Sequence, residues 1–186
     1  MTSRIDIIGQ NGNTGEHYSE VTKENKMKPV VIYHANCADG FGAAFAAWLK
    51  FGDEVEYLPF QYGQDFKHIT EIAATNCDVY ILDFSFHKEV MEIIFRNAKK
   101  IVWLDHHKTA FEMWCGGIPV NGVFENTLDY DDEKDYIRLD NKRSGAMIAW
   151  EYFHPGKEIP MLIKHIDDYD RWVFALEGTK EFNKAL

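Results

Sequence analysis

Apolar residues recur along the chain with two different spacings. Short runs rich in Val, Ile and Leu predict buried strands at residues 29–34, 55–60, 78–83 and 101–104. Stretches in which apolar residues return every three or four positions predict amphipathic helices around residues 41–49, 90–94, 144–153 and 159–166. Strands and helices therefore alternate along much of the chain.

This alternation predicts an α/β fold with a mostly parallel central sheet and helices on both faces. In sheets of this kind, ligands bind outside the carboxyl ends of the strands. The residues that follow each predicted strand are therefore the first places to search for chemistry.

Two polar segments interrupt the pattern. Residues 1–26 are rich in Gly and Asn and lack sustained periodicity, which predicts a flexible N-terminal arm attached to a domain at residues 27–186. The acidic run DYDDEKD at residues 129–135 lacks the glycine and the distal glutamate of an EF-hand loop. It predicts a solvated surface loop.

The composition narrows the class of protein. With 186 residues, 46% of them hydrophobic, the chain can bury a sizeable core. Its net charge of -10 argues against a protein that grips long duplexes, although a bound divalent metal would admit a small phosphorylated substrate. The three widely spaced cysteines do not suggest a disulfide framework, and no apolar run is long enough to span a bilayer. We therefore expect a cytoplasmic protein with no membrane partner.

Carboxylates and imidazoles follow three of the four predicted strands. His34 ends the first strand and is followed by Asp39, and Asp83 ends the third. The fourth is followed by Asp105, His106 and His107, and a late helix carries Asp167, Asp168 and Asp170. Any one of these could cap a helix or lie on the surface, but together they would meet at one edge of the sheet. Such a mixture suits two Mn²⁺ ions, with Mg²⁺ as an alternative, bridged by a shared carboxylate.

Four motifs, in order, give the chain a specific resemblance. They are YHANCADGFGAA, VYILDFS, LDHHKTA and IDDYDRW, starting at residues 33, 79, 104 and 166. The chain resembles the DHH phosphoesterase superfamily, which includes RecJ-type exonucleases and oligoribonucleases (nano-RNases), and within it the oligoribonuclease-like and phage-encoded branch. Two-domain members continue into a C-terminal substrate domain, which we do not expect in full here.

The resemblance implies a role for each motif residue. His34 would bind the first metal ion and Asp39 the second, Asp83 would bridge them, and His106 would complete the second site with Asp168 or Asp167. His107 would face the substrate phosphate and Asp105 would orient an imidazole, so both are the expected catalytic residues. Many relatives have aspartate where this chain has Cys37, which is either a non-ligating thiol or a thiolate that favours a softer ion such as zinc.

Three further residues are candidates for substrate binding. Lys108 and Arg143 would offset charge on the phosphate or be ordinary surface cations. Ser144 would hold a phosphate or cap the helix that follows it.

The resemblance implies hydrolysis of a phosphodiester in a short oligonucleotide, RNA or single-stranded DNA, by water activated between two metal ions. One alternative is a phosphodiesterase for a cyclic dinucleotide or another small signalling nucleotide. An alternative of another class is a non-catalytic nucleotide-binding module. The expected partner is a short oligonucleotide or small nucleotide rather than a long duplex. The sequence leaves open whether the protein forms a homo-oligomer.

Overall fold

Six strands form one sheet at the centre of the molecule. The computed structural model describes residues 28–73, 75–126 and 135–186. The strands are β1 (Val30–His34), β2 (Glu56–Phe60), β3 (Asp78–Leu82), β4 (Lys100–Asp105), β5 (Val123–Asn126) and β6 (Tyr136–Asp140). Their order across the sheet is β2-β1-β3-β4-β6-β5. The expected N-terminal arm at residues 1–26 and most of the acidic run at residues 129–135 lie outside the described residues.

The sheet is mostly parallel, as the sequence predicts. Strands β2, β1, β3, β4 and β6 all pair in parallel, and only β5 runs antiparallel, along β6. The carboxyl ends of the parallel strands therefore meet at one edge of the sheet. The chain runs from β1 to β2 on one side and then returns to β3 on the other side of β1. The ends of β1 and β3 therefore form the switch point at which sheets of this kind bind ligands.

Helices cover both faces of the sheet. They are α1 (Ala38–Phe51), α2 (Lys67–Ala73), α3 (Lys88–Asn97), α4 (Lys108–Cys115), α5 (Gly145–Phe153), α6 (Met161–Asp170) and α7 (Thr179–Ala185), with a short 3-10 turn at Gly52–Glu54. Helices α1, α5 and α6 pack on one face and α2, α3 and α4 on the other. The prediction of an α/β fold with helices on both faces is confirmed.

Alternation along each strand explains the two cores. In β4, Ile101 and Trp103 point into the core under α3 and α4, while Val102 and Leu104 point into the core under α1 and α5. All four are fully buried. A strand buried on both faces reads as a continuous apolar run, which is why the sequence predicts it so clearly.

Some elements are not among the sequence predictions. Helices α2, α4 and α7 and the hairpin of β5 and β6 were not predicted, because their apolar positions are few or lie beside polar segments. None of the helices in the described part of the chain is long and apolar enough to cross a membrane.

Candidate metal centre

The strand ends bring the predicted side chains together. His34 is the last residue of β1, Asp83 directly follows β3, and β4 ends at Asp105 with His106 next. These three strands are neighbours in the sheet and run parallel. Helix α1 begins four residues after β1 and carries Asp39 in its first turn.

Asp83 lies at the middle of this group. Its side chain is fully buried, and neither carboxylate oxygen has a hydrogen-bond partner among the described residues. Oδ1 lies 3.2 Å from Nε2 of His106, and Oδ2 lies 3.6 Å from Nδ1 of His34, which also lacks a partner. A buried carboxylate without hydrogen bonds is costly, so this one requires a positive partner.

Two imidazoles supply that charge. Burial alone would raise the pKa of Asp83, but the interactions with His106 and His34 lower it to about 2. The same contact with Asp83 is the main cause that raises the pKa of His34 to about 10. The cluster therefore holds ionised carboxylate and protonated imidazole where a divalent cation would replace the protons.

The backbone holds Asp83 in place. Its φ of 53° is in the left-handed region, which aspartate tolerates better than most residues. Its N–H donates to the carbonyl of Leu104 at 2.9 Å, one residue past the paired part of β3. The start of α5 presses against it, since a Cβ on Gly145 would lie 2.5 Å from the Cβ of Asp83.

Three sets of potential ligands surround Asp83. They are His34 with Cys37 and Asp83, then Asp83 with His106 and His107, and finally Asp39 with His106 and Asp170; within each set the donor atoms lie within 4.8 Å of one another. Asp83 and His106 each belong to two sets, so the sets adjoin. Carboxylate and imidazole donors fit Mn²⁺, Mg²⁺ or Zn²⁺, and the orphaned buried oxygens of Asp83 are what a shared ligand offers.

Asp39 is fixed by the beginning of α5. Its two carboxylate oxygens accept the N–H groups of Gly145 and Ala146 at 2.6 and 2.7 Å. Nε2 of His106 lies 3.3 Å from Asp39 Oδ2. Burial, followed by the charge of Asp83, raises the pKa of Asp39. A carboxylate keeps further lone pairs after accepting two hydrogen bonds, so Asp39 remains able to bind a cation.

Asp105 organises the two histidines that follow it. The carboxylate is fully buried and accepts the hydroxyl of Ser85, while its Oδ1 accepts the N–H of His106 at 2.7 Å. Nδ1 of His107 lies 2.7 Å from the same oxygen. This contact has the geometry that the expected orienting role of Asp105 requires. The other ring nitrogen of His107, Nε2, does not take part in it.

The last motif contributes Asp170 rather than its neighbours. Nδ1 of His106 lies 3.6 Å from Asp170 Oδ2. Asp168 instead accepts the N–H groups of Ala175 and Leu176 and the hydroxyl of Thr179, so it secures the turn into α7. Neither it nor Asp167 reaches the cluster.

Asp167 also has structural partners. Its Oδ1 accepts the N–H of Ser144 at 2.8 Å, and its Oδ2 pairs with Arg171 at 3.1 Å. The structure therefore brings Asp170 to the cluster, in place of the expected Asp168 or Asp167. Asp170 ends α6 four residues after the buried Ile166, whereas Asp167 and Asp168 are held by their other partners.

The three other residues expected to bind substrate contact neighbouring side chains or backbone groups of the protein instead. Arg143 pairs with Asp140 and Glu151, each at 2.8 Å. Ser144 caps α5, since its hydroxyl accepts the N–H of Met147 at 3.2 Å. Lys108 is exposed and pairs with Glu112, one turn along α4, at 3.0 Å. The structure does not bring these three into the cluster.

Comparison with known proteins finds similarity in sequence and in fold to uncharacterized proteins. No family model matches the chain. It is 33% identical over 164 residues to the uncharacterized protein R106 of Acanthamoeba polyphaga mimivirus, a match that spans 82% of this chain and 35% of that protein. It shares a fold with an uncharacterized protein from Helicobacter pylori G27 at a TM-score of 0.53 and 15% identity, over 80% of this chain and 44% of that one. The chain thus spans less than half the length of each.

Proposed function

We propose that the chain is a DHH-type phosphoesterase, and that it hydrolyses phosphodiester bonds in short oligonucleotides with the help of divalent metal ions. The observation that supports this most directly is Asp83, a fully buried carboxylate with no hydrogen-bond partner in the described residues, facing imidazoles from two neighbouring strand ends. Such a residue suits a ligand shared by two cations. Each of the four motifs of the resemblance contributes at least one residue to the cluster around Asp83.

With His107 assigned to the substrate, the remaining residues divide into two ligand sets around Asp83. His34 and Cys37 would join it on one side, and Asp39, His106 and Asp170 would hold the second ion on the other. When bound, the two divalent cations would neutralise charge on the substrate phosphate and make a water molecule nucleophilic at neutral pH. Because the first set includes a thiol, it is the softer of the two.

His107 would act directly on the substrate. Its ring is about one-third exposed, and Asp105 fixes its orientation through Nδ1. Burial lowers the pKa of His107, but the hydrogen bond to Asp105 and the charges of Asp105 and Asp83 together raise that pKa overall. A protonated His107 would present Nε2–H to a non-bridging phosphate oxygen and stabilise the charge that develops there.

A substrate panel tests the proposal. Purified protein with Mn²⁺ is incubated with RNA and DNA di- to pentanucleotides and with cyclic dinucleotides, and products are separated by chromatography. We expect cleavage of the short linear substrates. Cleavage of cyclic dinucleotides alone would redirect the proposal to a signalling nucleotide, and binding without any product would indicate a nucleotide-binding module.

A matched pair of variants tests whether any activity depends on the candidate metal centre around Asp83, called the centre below. Asp83→Asn keeps the size of the side chain and removes its charge, and should reduce the rate roughly a hundredfold or more, since metal-based charge stabilisation contributes several kcal/mol. Asp78→Asn changes the opposite end of the same strand. It should leave the rate unchanged, and equal activity in both variants would refute the assignment of the centre.

A further inference from the structure

A cavity of about 480 Å³ opens beside the centre. It lies between the loop after β2, the loop after β3 and helix α4, and this volume falls within the range of small-molecule sites. Much of its lining is aromatic, provided by Phe60, Tyr62, Phe66, Phe84 and Phe86.

Tyr62 is the most exposed of the aromatic residues that line this cavity. It stacks on Phe84 with ring centroids 4.6 Å apart and planes 29° apart, while Phe84 is itself buried against Phe60 and Phe86. Tyr62 is nevertheless 53% exposed. A flat ring supported from behind and open to solvent is a platform on which another flat ring can stack.

Two residues that line the cavity also contact residues of the centre. The ring of Tyr62 lies edge-on to His34 at 5.4 Å and to His107 at 6.3 Å between centroids. Ser85 lines the cavity while its hydroxyl donates to Asp105. A molecule held at the centre by a phosphate could therefore place its next ring in the cavity.

The lining indicates what kind of group would enter. Within the described residues, the lining contains no Lys, Arg, Asp or Glu, so it does not suit a second phosphate. It does offer polar side chains that can hydrogen-bond to the edge of a ring, among them Gln61, Gln64 and Thr109. A neutral heteroaromatic ring with hydrogen-bonding edges fits both features, and nucleobases are such rings.

We propose that this cavity binds the nucleobase of the nucleotide whose phosphate enters the centre, with Tyr62 as the stacking platform. This proposal rests on the proposed function. It assigns substrate recognition to the loop after β2, which none of the four motifs includes.

Binding of nucleoside monophosphates tests the cavity separately from catalysis. The dissociation constants of AMP, UMP and ribose 5-phosphate are measured by calorimetry with Mn²⁺ present. In the wild type, AMP or UMP should bind at least tenfold more tightly than ribose 5-phosphate. Tyr62→Ala should weaken nucleotide binding roughly 5- to 150-fold, which corresponds to ~1–3 kcal/mol of stacking, and leave ribose 5-phosphate unchanged.

Two control variants make the result specific. Tyr62→Phe keeps the ring and should keep the preference for the nucleotides. Trp48→Ala removes another exposed aromatic ring, 48% accessible and near the far end of α1, and should have no effect. Equal affinity of the wild type for the three ligands, or an unchanged preference in Tyr62→Ala, would overturn the proposal.

Hydrolysis assays show whether the cavity or the proposed function has failed. If the wild type cleaves a dinucleotide and its abasic analogue equally well, the function stands and the nucleobase site is wrong. If neither is cleaved but nucleotide binding still depends on the ring of Tyr62, the nucleobase site stands and phosphodiester hydrolysis is wrong.

Discussion

Gly145 offers a way to displace Asp83 without changing any ligand. It is the first residue of α5, and an added Cβ would lie 2.5 Å from the Cβ and 2.6 Å from the Oδ1 of Asp83. Both distances are well inside van der Waals contact. The helix cannot simply retreat, because the N–H groups of Gly145 and Ala146 donate to Asp39. Gly145→Ala must therefore move one of two expected ligands.

The size of the effect follows from two opposing terms. Overpacking a rigid contact typically costs ~1–3 kcal/mol. Alanine in place of glycine returns up to about 1 kcal/mol within a helix. We expect a net loss of roughly 1–2 kcal/mol, or a fall in melting temperature of about 2–8 °C for a domain of this size. Displacing a ligand should also weaken metal binding at least tenfold, the effect usual for a disturbed metal environment.

Gly42→Ala is the matched control. A Cβ there would lie 2.7 Å from the Cβ of Ala146 and 2.8 Å from Cδ1 of Ile166, so the crowding is similar but falls on apolar groups. Melting is followed by circular dichroism in EDTA, and Mn²⁺ affinity by calorimetry. Both variants should melt earlier, but Gly145→Ala, which presses on Asp83 itself, should lose at least tenfold more affinity than Gly42→Ala. Wild-type Mn²⁺ affinity in Gly145→Ala, or equal losses of affinity in both variants, would refute the reasoning.

Three further predictions concern the ligands themselves. Asp170→Asn should weaken Mn²⁺ binding at least tenfold with little change in the melting temperature measured in EDTA. Asp168→Asn should lower that melting temperature and leave the Mn²⁺ affinity unchanged, since Asp168 holds the turn into α7. The reverse pattern would indicate that Asp168 is the ligand. Cys37→Asp should tighten Mn²⁺ binding in a calorimetric titration because hard cations prefer carboxylate, and weaker binding would identify the thiol as the better ligand. In the metal-free protein, contact with Asp83 raises the pKa of His34 to about 10, and the pKa of His106 also reaches about 10 despite burial, which lowers it. Both imidazoles are therefore protonated at pH 7, so Mn²⁺ binding should release protons and should weaken as pH falls. Calorimetry in two buffers of different ionisation enthalpy counts the released protons. A count of zero would contradict the assignment of His34 and His106 as ligands.

The sheet and most of the centre could be predicted because local sequence patterns indicate them clearly. Strands β1, β3 and β4 are apolar on both faces, and the polar residue that ends each run is conspicuous. Once the strands are parallel, their ends must meet, so the proximity of His34, Asp83 and His106 follows from the topology.

At the centre and the cavity, what the sequence analysis missed has physical causes of two kinds. Asp170 carried a usable signal, since it lies four residues after the apolar Ile166, but three acidic residues within four positions obscured it. The stack of Tyr62 on Phe84 carried no local signal. It joins two loops that are distant along the chain, and only the packed structure brings them together.

The hairpin of β5 and β6 was missed for a third reason. The apolar residues of β6, Ile137 and Leu139, alternate with polar ones, as in a strand with one buried face. The adjoining acidic run draws attention away from this short alternation. Asp135, at the end of that run, accepts the N–H of Ile101 at 2.8 Å and so helps to align β6 with β4.

The donors of the centre come from nearly the full length of the described fold, from His34 at the end of its first strand to Asp170 at the end of its sixth helix. An ion bound between them would act as a removable cross-link between the first and last parts of the chain. Because the unfolded chain cannot hold these groups together, the free energy of binding would be added to the stability of the whole domain rather than to one loop. Chelation should then lower the midpoint of a single cooperative unfolding transition, and the supply of metal would set how long the protein survives proteolysis.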